Sequence, residues 1–143
     1  MSYQFLQGDV VQRAHKMPDH SVDAIFCDPP YGLSGAPDMT EVLTHWLAGD
    51  DYQHTGSGFM GKSWDSFVPG PALWRELWRV AKPGAYLLAF GGTRTADLLS
   101  LAIRLAGWQR WDEIMYLHSP DLDAWAMQNY GGWCDCEEDD SNP

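Results

Sequence analysis

The apolar residues of this chain come in short dense runs set between glycine, proline and acidic clusters. The first run, Val22-Asp23-Ala24-Ile25-Phe26-Cys27, is apolar at five of six positions and reads as a buried strand. It closes on Asp28-Pro29-Pro30-Tyr31, where two prolines end strand pairing. A carboxylate, a rigid turn and an aromatic ring are thereby displayed at the carboxyl end of a strand, the place where open α/β sheets put their ligand sites.

Pro71 opens a helix over 71–82, with Leu73, Leu77 and Ala81 at i, i+4 and i+8 beside Trp74 and Trp78. Arg75, Glu76, Arg79 and Lys82 take its other side, and Pro83-Gly84 ends it. Ala85 to Phe90 follows as a second buried strand, closed by Gly91-Gly92. The next helix begins at Thr95, carries Leu98, Leu99, Leu101, Ile103 and Leu105, and stops at Gly107. Trp111 to Leu117 reads as a third core strand. Upstream, Tyr3 to Gln7 reads as a short strand and Val10 to Lys16 as a short helix. Leu33 to Gly70 is glycine-rich with little periodicity, apart from one or two helical turns over Thr40–Leu47, and a segment of that length is functional or disordered. Asp121 to Met127 is a further short helix candidate. Strand, helix, strand, helix, strand with short links predicts an α/β fold: a parallel sheet with helices on both faces.

Composition narrows the picture. The chain has 143 residues, 45% of them hydrophobic and eight of them Trp, enough for one domain with a real core. It has no apolar run long enough to span a bilayer and no basic leader before an apolar core, so a soluble cytoplasmic protein is expected. Its three cysteines include Cys27 inside the core strand, which fits a reducing compartment. Cys134 and Cys136, one residue apart with no His after them, match no zinc spacing, and no metal site is expected.

The net charge of −11 speaks at first against a nucleic-acid partner. From Ser119 onward, however, there are seven acids and no Lys or Arg, whereas Lys62 to Arg110 holds seven basic residues against three acids. A basic middle with an acidic end is compatible with DNA. The break divides the chain into a body, 1–118, and an acidic, flexible tail, 119–143.

These pieces together resemble the permuted group of site-specific DNA amino-methyltransferases, in which the catalytic half precedes the cofactor half. The resemblance rests on Gly8-Asp9, Met17-Pro18-Asp19-His20-Ser21-Val22-Asp23, Asp28-Pro29-Pro30-Tyr31-Gly32 and Phe59-Met60-Gly61-Lys62-Ser63-Trp64-Asp65. It continues through Trp78 to Ala85 and Phe90-Gly91-Gly92, covering about Phe5 to Tyr116. It implies a partial Rossmann-like methyltransferase fold, double-stranded DNA as partner and S-adenosyl-L-methionine as methyl donor. Asp28, Pro29, Pro30 and Tyr31 would be catalytic. In this family an aspartate at the head of the motif goes with adenine N6 as the methyl acceptor.

The residue types suit that chemistry. The lone pair of an exocyclic adenine amine is delocalised into the ring. A carboxylate (Asp28) and a carbonyl (Pro29) accepting its two N–H bonds favour a pyramidal nitrogen with the lone pair free. Tyr31 offers a face for a base flipped out of the duplex. The resemblance also assigns Asp9, Phe90, Gly91 and Gly92 to the cofactor; Asp9 is equally a helix cap for Val10–Lys16, and the glycines equally an ordinary turn. Lys62 and Trp64 would meet DNA, or belong to a solvated loop. Arg75, Arg79 and Lys82 form a helix face that could lie on phosphates, although such a face is usually only solvated.

One element of the family is missing. The Phe-x-Gly-x-Gly loop that curls around the methionine part of the donor occurs nowhere in the sequence. The expectation is therefore a DNA adenine-N6 methyltransferase or the catalytic half of one, completed by a second chain. The alternative is a truncated, inactive remnant that binds DNA or a partner. A DNA mimic built on the negative charge is a weaker third reading, because seven of the twenty acids crowd into the tail.

Overall fold

The computed structural model describes residues 3–32, 35, 37–54, 61 and 63–114. It separates into two compact units, 1–110 and 111–143. The first contains α1 (Val10–Ala14), β1 (Val22–Cys27), α2 (Met39–Ala48), a single 3₁₀ turn (Ser63–Asp65), α3 (Pro71–Val80), β2 (Ala81–Ala89) and α4 (Ala96–Leu105). Of the second unit only 111–114 is described. Those residues form no strand, and Trp111 and Ile114 are exposed. The expected third strand is thus absent from the portion that can be compared, and 115–117 lies outside the described residues, as does the helix candidate over 121–127.

Two strands pair in parallel to form the sheet, with Ala24, Ile25, Phe26 and Cys27 opposite Tyr86, Leu87, Leu88 and Ala89. Upstream, Val22 faces Ala81, so five residues of β2 are spent on two of β1. This bulge carries Pro83, which cannot donate to a ladder, and Gly84, at φ +83°. It also explains why β2 begins at Ala81, before the proline, where the sequence places the strand at Ala85. The junction ahead of β1 is pinned to the end of α3: the amides of His20 and Ser21 donate to the carbonyls of Arg79 and Val80.

Core residues come mainly from the helices. Val42 and Trp46 of α2, Trp74, Leu77 and Val80 of α3, Leu98, Leu99 and Ala102 of α4, and Trp108 form one buried cluster. Trp74 is wholly buried; its indole N–H donates to the Pro69 carbonyl, and its own carbonyl accepts from the Trp108 indole. Ile25, Cys27, Ala85, Leu87 and Ala89 of the sheet pack against this cluster. The alternate positions, Phe26, Tyr86 and Leu88, are exposed. Among the described residues one sheet face is covered, not the two expected. Helix α2 is longer than expected because Asp38 caps it through the amides of Thr40 and Glu41, and Gly49, at φ +91°, closes it. Tyr3–Gln7, expected as a strand, has no partner in the two-stranded sheet; Tyr3, Phe5 and Leu6 are exposed there. Among the described residues no helix is long and apolar enough to cross a membrane.

An ionic cluster ties α1 to α3. Arg79 pairs with Glu76 and Asp19 and donates to the carbonyls of Met17 and Ala14, while His15 Nδ1 sits 2.9 Å from Glu76. The hydrogen bond from Arg79, the charge beside it and His15 hold the Glu76 carboxyl below its ordinary value. A carboxylate whose folded pKa is depressed stabilises fully above its unfolded value and loses that contribution as the pH falls through the folded one. Glu76→Gln should therefore lower the urea midpoint at pH 7. The gap from the parent should close as the pH drops through and below about 4.3. A gap that persists unchanged at acid pH would mean that Glu76 acts through packing.

Candidate functional site

Because β1 and β2 run parallel, their carboxyl ends lie side by side, and each leads into one half of the candidate site. The last rung beyond the ladder is the Phe90 amide donating to the Cys27 carbonyl at 3.0 Å. It sets Asp28-Pro29-Pro30-Tyr31 next to Phe90-Gly91-Gly92. The rings of Phe26 and Phe90 meet edge to face at 5.3 Å. A Cβ on Gly92 would touch Tyr31 Cβ at 3.4 Å, and one on Gly91 would come within 3.0 Å of the Leu99 side chain.

The turn is held from several directions. Asp65 is 7% exposed, and its Oδ1 accepts from the amide of Tyr31 at 2.9 Å and from that of Gly32 at 3.4 Å. The Thr95 hydroxyl donates to the Tyr31 carbonyl, so both polar groups of the Tyr31 backbone are engaged. Gly32 has φ +68°, and a Cβ there would press on the backbone of Phe67 and Val68 at 3.0–3.2 Å. A side chain there is strained in conformation and tight against that backbone.

Asp28 and Tyr31 face one another. The Tyr31 hydroxyl donates to Asp28 Oδ1 at 2.6 Å, inside the range of charge-assisted bonds. That bond, then burial and the negative charge of Asp28, raise the Tyr31 phenol above its ordinary value. The Cys27 thiol is raised as well, by burial first and then by Asp28. A carboxylate aimed out of a fixed turn, with a phenol ring beside it, can accept from an N–H or O–H donor and offer an aromatic face to its owner.

The remaining sequence candidates are distributed differently. Asp9 is the N-cap of α1, accepting from the Gln12 amide at 2.9 Å, and among the described residues no hydrogen bond joins it to the turn. Trp64 is exposed on the 3₁₀ turn that also carries Asp65. Lys62 lies outside the described residues, as do Cys134 and Cys136. Arg75 donates to the Gly49 carbonyl, Arg79 belongs to the ionic cluster and Lys82 pairs with Asp23 at 2.6 Å, so these cations are committed within the chain. Two residues enter that sequence reasoning did not assign to the site: Asp65 and Thr95. Asp65 lies 34 positions beyond Tyr31, and only the folded chain brings it there. No protein-family model matches this sequence, and no solved structure matches the chain.

The Tyr31–Asp28 bond is open to a direct check. Asp28→Ala removes the acceptor and its charge, and the Tyr31 phenol should then titrate closer to the ordinary value of about 10. Site-resolved ¹³Cζ shifts of Tyr31 followed against pH read this. An unmoved titration would mean that the two side chains do not meet in solution.

Proposed function

We propose that this chain is the base-binding, catalytic half of a DNA adenine-N6 methyltransferase with a partial Rossmann-like fold. The observation that carries the reading is the Asp28–Tyr31 turn. It is clamped at the carboxyl ends of two parallel strands and presents a carboxylate and an aromatic ring together. In this reading an adenine swung out of double-stranded DNA stacks on Tyr31. Its amine donates to Asp28 and to the Pro29 carbonyl, which draws the nitrogen toward the pyramidal form with its lone pair free. Fixed acceptors favour the transition state because they need no rearrangement as charge develops. Pro29 and Pro30 serve this by limiting the backbone angles of the turn.

The donor is a separate matter. S-adenosyl-L-methionine would need open room against the backbone near the turn and a carboxylate for its adenine amine. Gly91, which is exposed, and Gly92 turn their Cβ sides toward Leu99 and Tyr31, and Asp9 Oδ1 is taken by the cap of α1. The sequence holds no Phe-x-Gly-x-Gly loop to curl around the methionine part, so these residues alone do not fit the donor. Among the described residues, the exposed sheet face of Phe26, Tyr86 and Leu88 and the single pairing of each strand favour a second chain that completes the fold and supplies the cradle. The missing Phe-x-Gly-x-Gly loop equally favours the second reading: a remnant that retains DNA or partner binding without transfer.

Calorimetry on the isolated chain should give an affinity for S-adenosyl-L-methionine weaker than micromolar, about −8 kcal/mol being the level that micromolar binding would reach. Where transfer from labelled donor to duplex DNA is observed, nucleoside analysis should find N6-methyladenine. Asp28→Ala should lower the rate by at least ~100-fold, as removal of a preorganised acceptor does elsewhere. Methylcytosine as product, or full activity in Asp28→Ala, would overturn the assignment, and complete absence of transfer with intact DNA binding would select the remnant.

A further inference from the structure

We propose that Asp65 is the positioning residue of this site: by accepting from the amides of Tyr31 and Gly32 it fixes the direction in which the Asp28–Tyr31 turn presents its acceptors. It also couples the loop that carries Trp64 to that turn. The inference deepens the reading above and rests on it for the identity of the bound base; the mechanical part stands on geometry alone.

Three observations carry it. Asp65 is the one buried acidic or basic residue among those described, and no cation pairs with it there. A buried carboxylate is costly unless its oxygens find donors, and its donors here are the two turn amides. The interaction is also long in sequence, 34 and 33 positions, so it is not the local side-chain-to-backbone bond that Asp commonly makes in loops.

Thr95 supplies the second observation. It stands at the N-cap of α4, where a threonine hydroxyl ordinarily accepts from the first-turn amides. It makes no such bond and donates instead to the Tyr31 carbonyl. Two polar side chains from separate segments thus converge on one peptide, Asp65 on its N–H and Thr95 on its C=O.

The third observation is the close approach of Gly32 to Phe67 and Val68. The loop that bears Asp65 lies against the turn by backbone contact as well as by hydrogen bond. Trp64, next to Asp65 and 64% exposed, therefore sits on a segment anchored to the turn. A nucleic acid that moves Trp64 would act on the direction of Tyr31 and Asp28 through Asp65.

The test compares the full chain with Asp65→Ala and Asp65→Asn, the latter keeping an acceptor of the same shape without charge. Amide exchange at Tyr31 and Gly32 should accelerate by at least ~10-fold in Asp65→Ala, the size expected for losing a hydrogen bond to a charged group. Leu77 and Trp78 in α3 should keep the parent rate. Asp65→Asn should restore most of the protection. A tether with no bearing on the acceptors would leave the Asp28–Tyr31 bond alone, so the Tyr31 phenol is followed in parallel: in Asp65→Ala it should titrate nearer its ordinary value, and in Asp65→Asn nearer the parent's. Should Asp65→Ala fail to fold, the ordering of parent and Asp65→Asn against Asp65→Ser gives the same comparison. Unchanged Tyr31 and Gly32 exchange, an unmoved Tyr31 titration, or an Asn variant as loosened as Ala would each overturn the proposal. Failure of the adenine reading registers separately, as a parent chain with protected amides that leaves oligodeoxyadenylate unbound.

Discussion

Parallel pairing of β1 with β2 is the constraint on which the rest depends. Antiparallel strands would place the ends of Cys27 and Ala89 on opposite sides of the sheet, and the acidic turn and the glycine turn would never meet. Parallel strands need a long crossover, and here it runs through α2, the 3₁₀ turn and α3. That crossover delivers Asp65 to the turn it left 33 residues earlier. The three-residue bulge in β2 belongs to the same solution. It absorbs Pro83 and Gly84 near the entry of the strand, leaving Ala24–Cys27 and Tyr86–Ala89 in unbroken register up to the site.

Electrostatics at the site depends on that alignment. Asp28 is exposed enough to meet a ligand but is already engaged by the Tyr31 hydroxyl, which orients the carboxylate before anything binds. An incoming amine competes with, or adds to, that bond at the second oxygen. Tyr31 in turn has its backbone fixed by Asp65 and Thr95, so the ring and the carboxylate are presented as one unit. Of the cations the sequence offers to phosphate, Arg75, Arg79 and Lys82 are engaged within the chain, by Glu76, Asp19, Asp23 and backbone carbonyls.

How much of this was legible in the sequence follows from how local each signal is. Strand β1 was readable because an apolar run ended at two prolines, and α3 because Pro71 and an i, i+4 stripe bound it. Both signals lie within a dozen residues. The end of α3 was read two residues late, since Ala81 and Lys82 continue the helical pattern but are drawn into β2 by pairing with Val22. The full length of α2 is signalled by Asp38 and Gly49 with Val42 and Trp46 between them, caps that extend the one or two turns expected over Thr40–Leu47. Tyr3–Gln7 alternates like a strand yet pairs with no strand among the described residues. The carboxylate and ring of the site were visible as a motif. The clamp from Asp65 and Thr95 was not, because nothing local marks an Asp as the acceptor of an amide, or a Thr as the donor to a carbonyl, more than thirty residues away.

The central claim is that the turn is a ready-made acceptor for an adenine amine. It is tested most directly by amide and side-chain NMR shifts of the labelled chain on titration with oligodeoxyadenylate and, separately, oligodeoxythymidylate, whose base has no exocyclic amine. The account predicts shifts at Asp28, Tyr31, Gly32 and Gly92 with the adenylate and little change there with the thymidylate. Equal shifts with both, or adenylate binding that leaves Asp28 and Tyr31 unmoved, would contradict it.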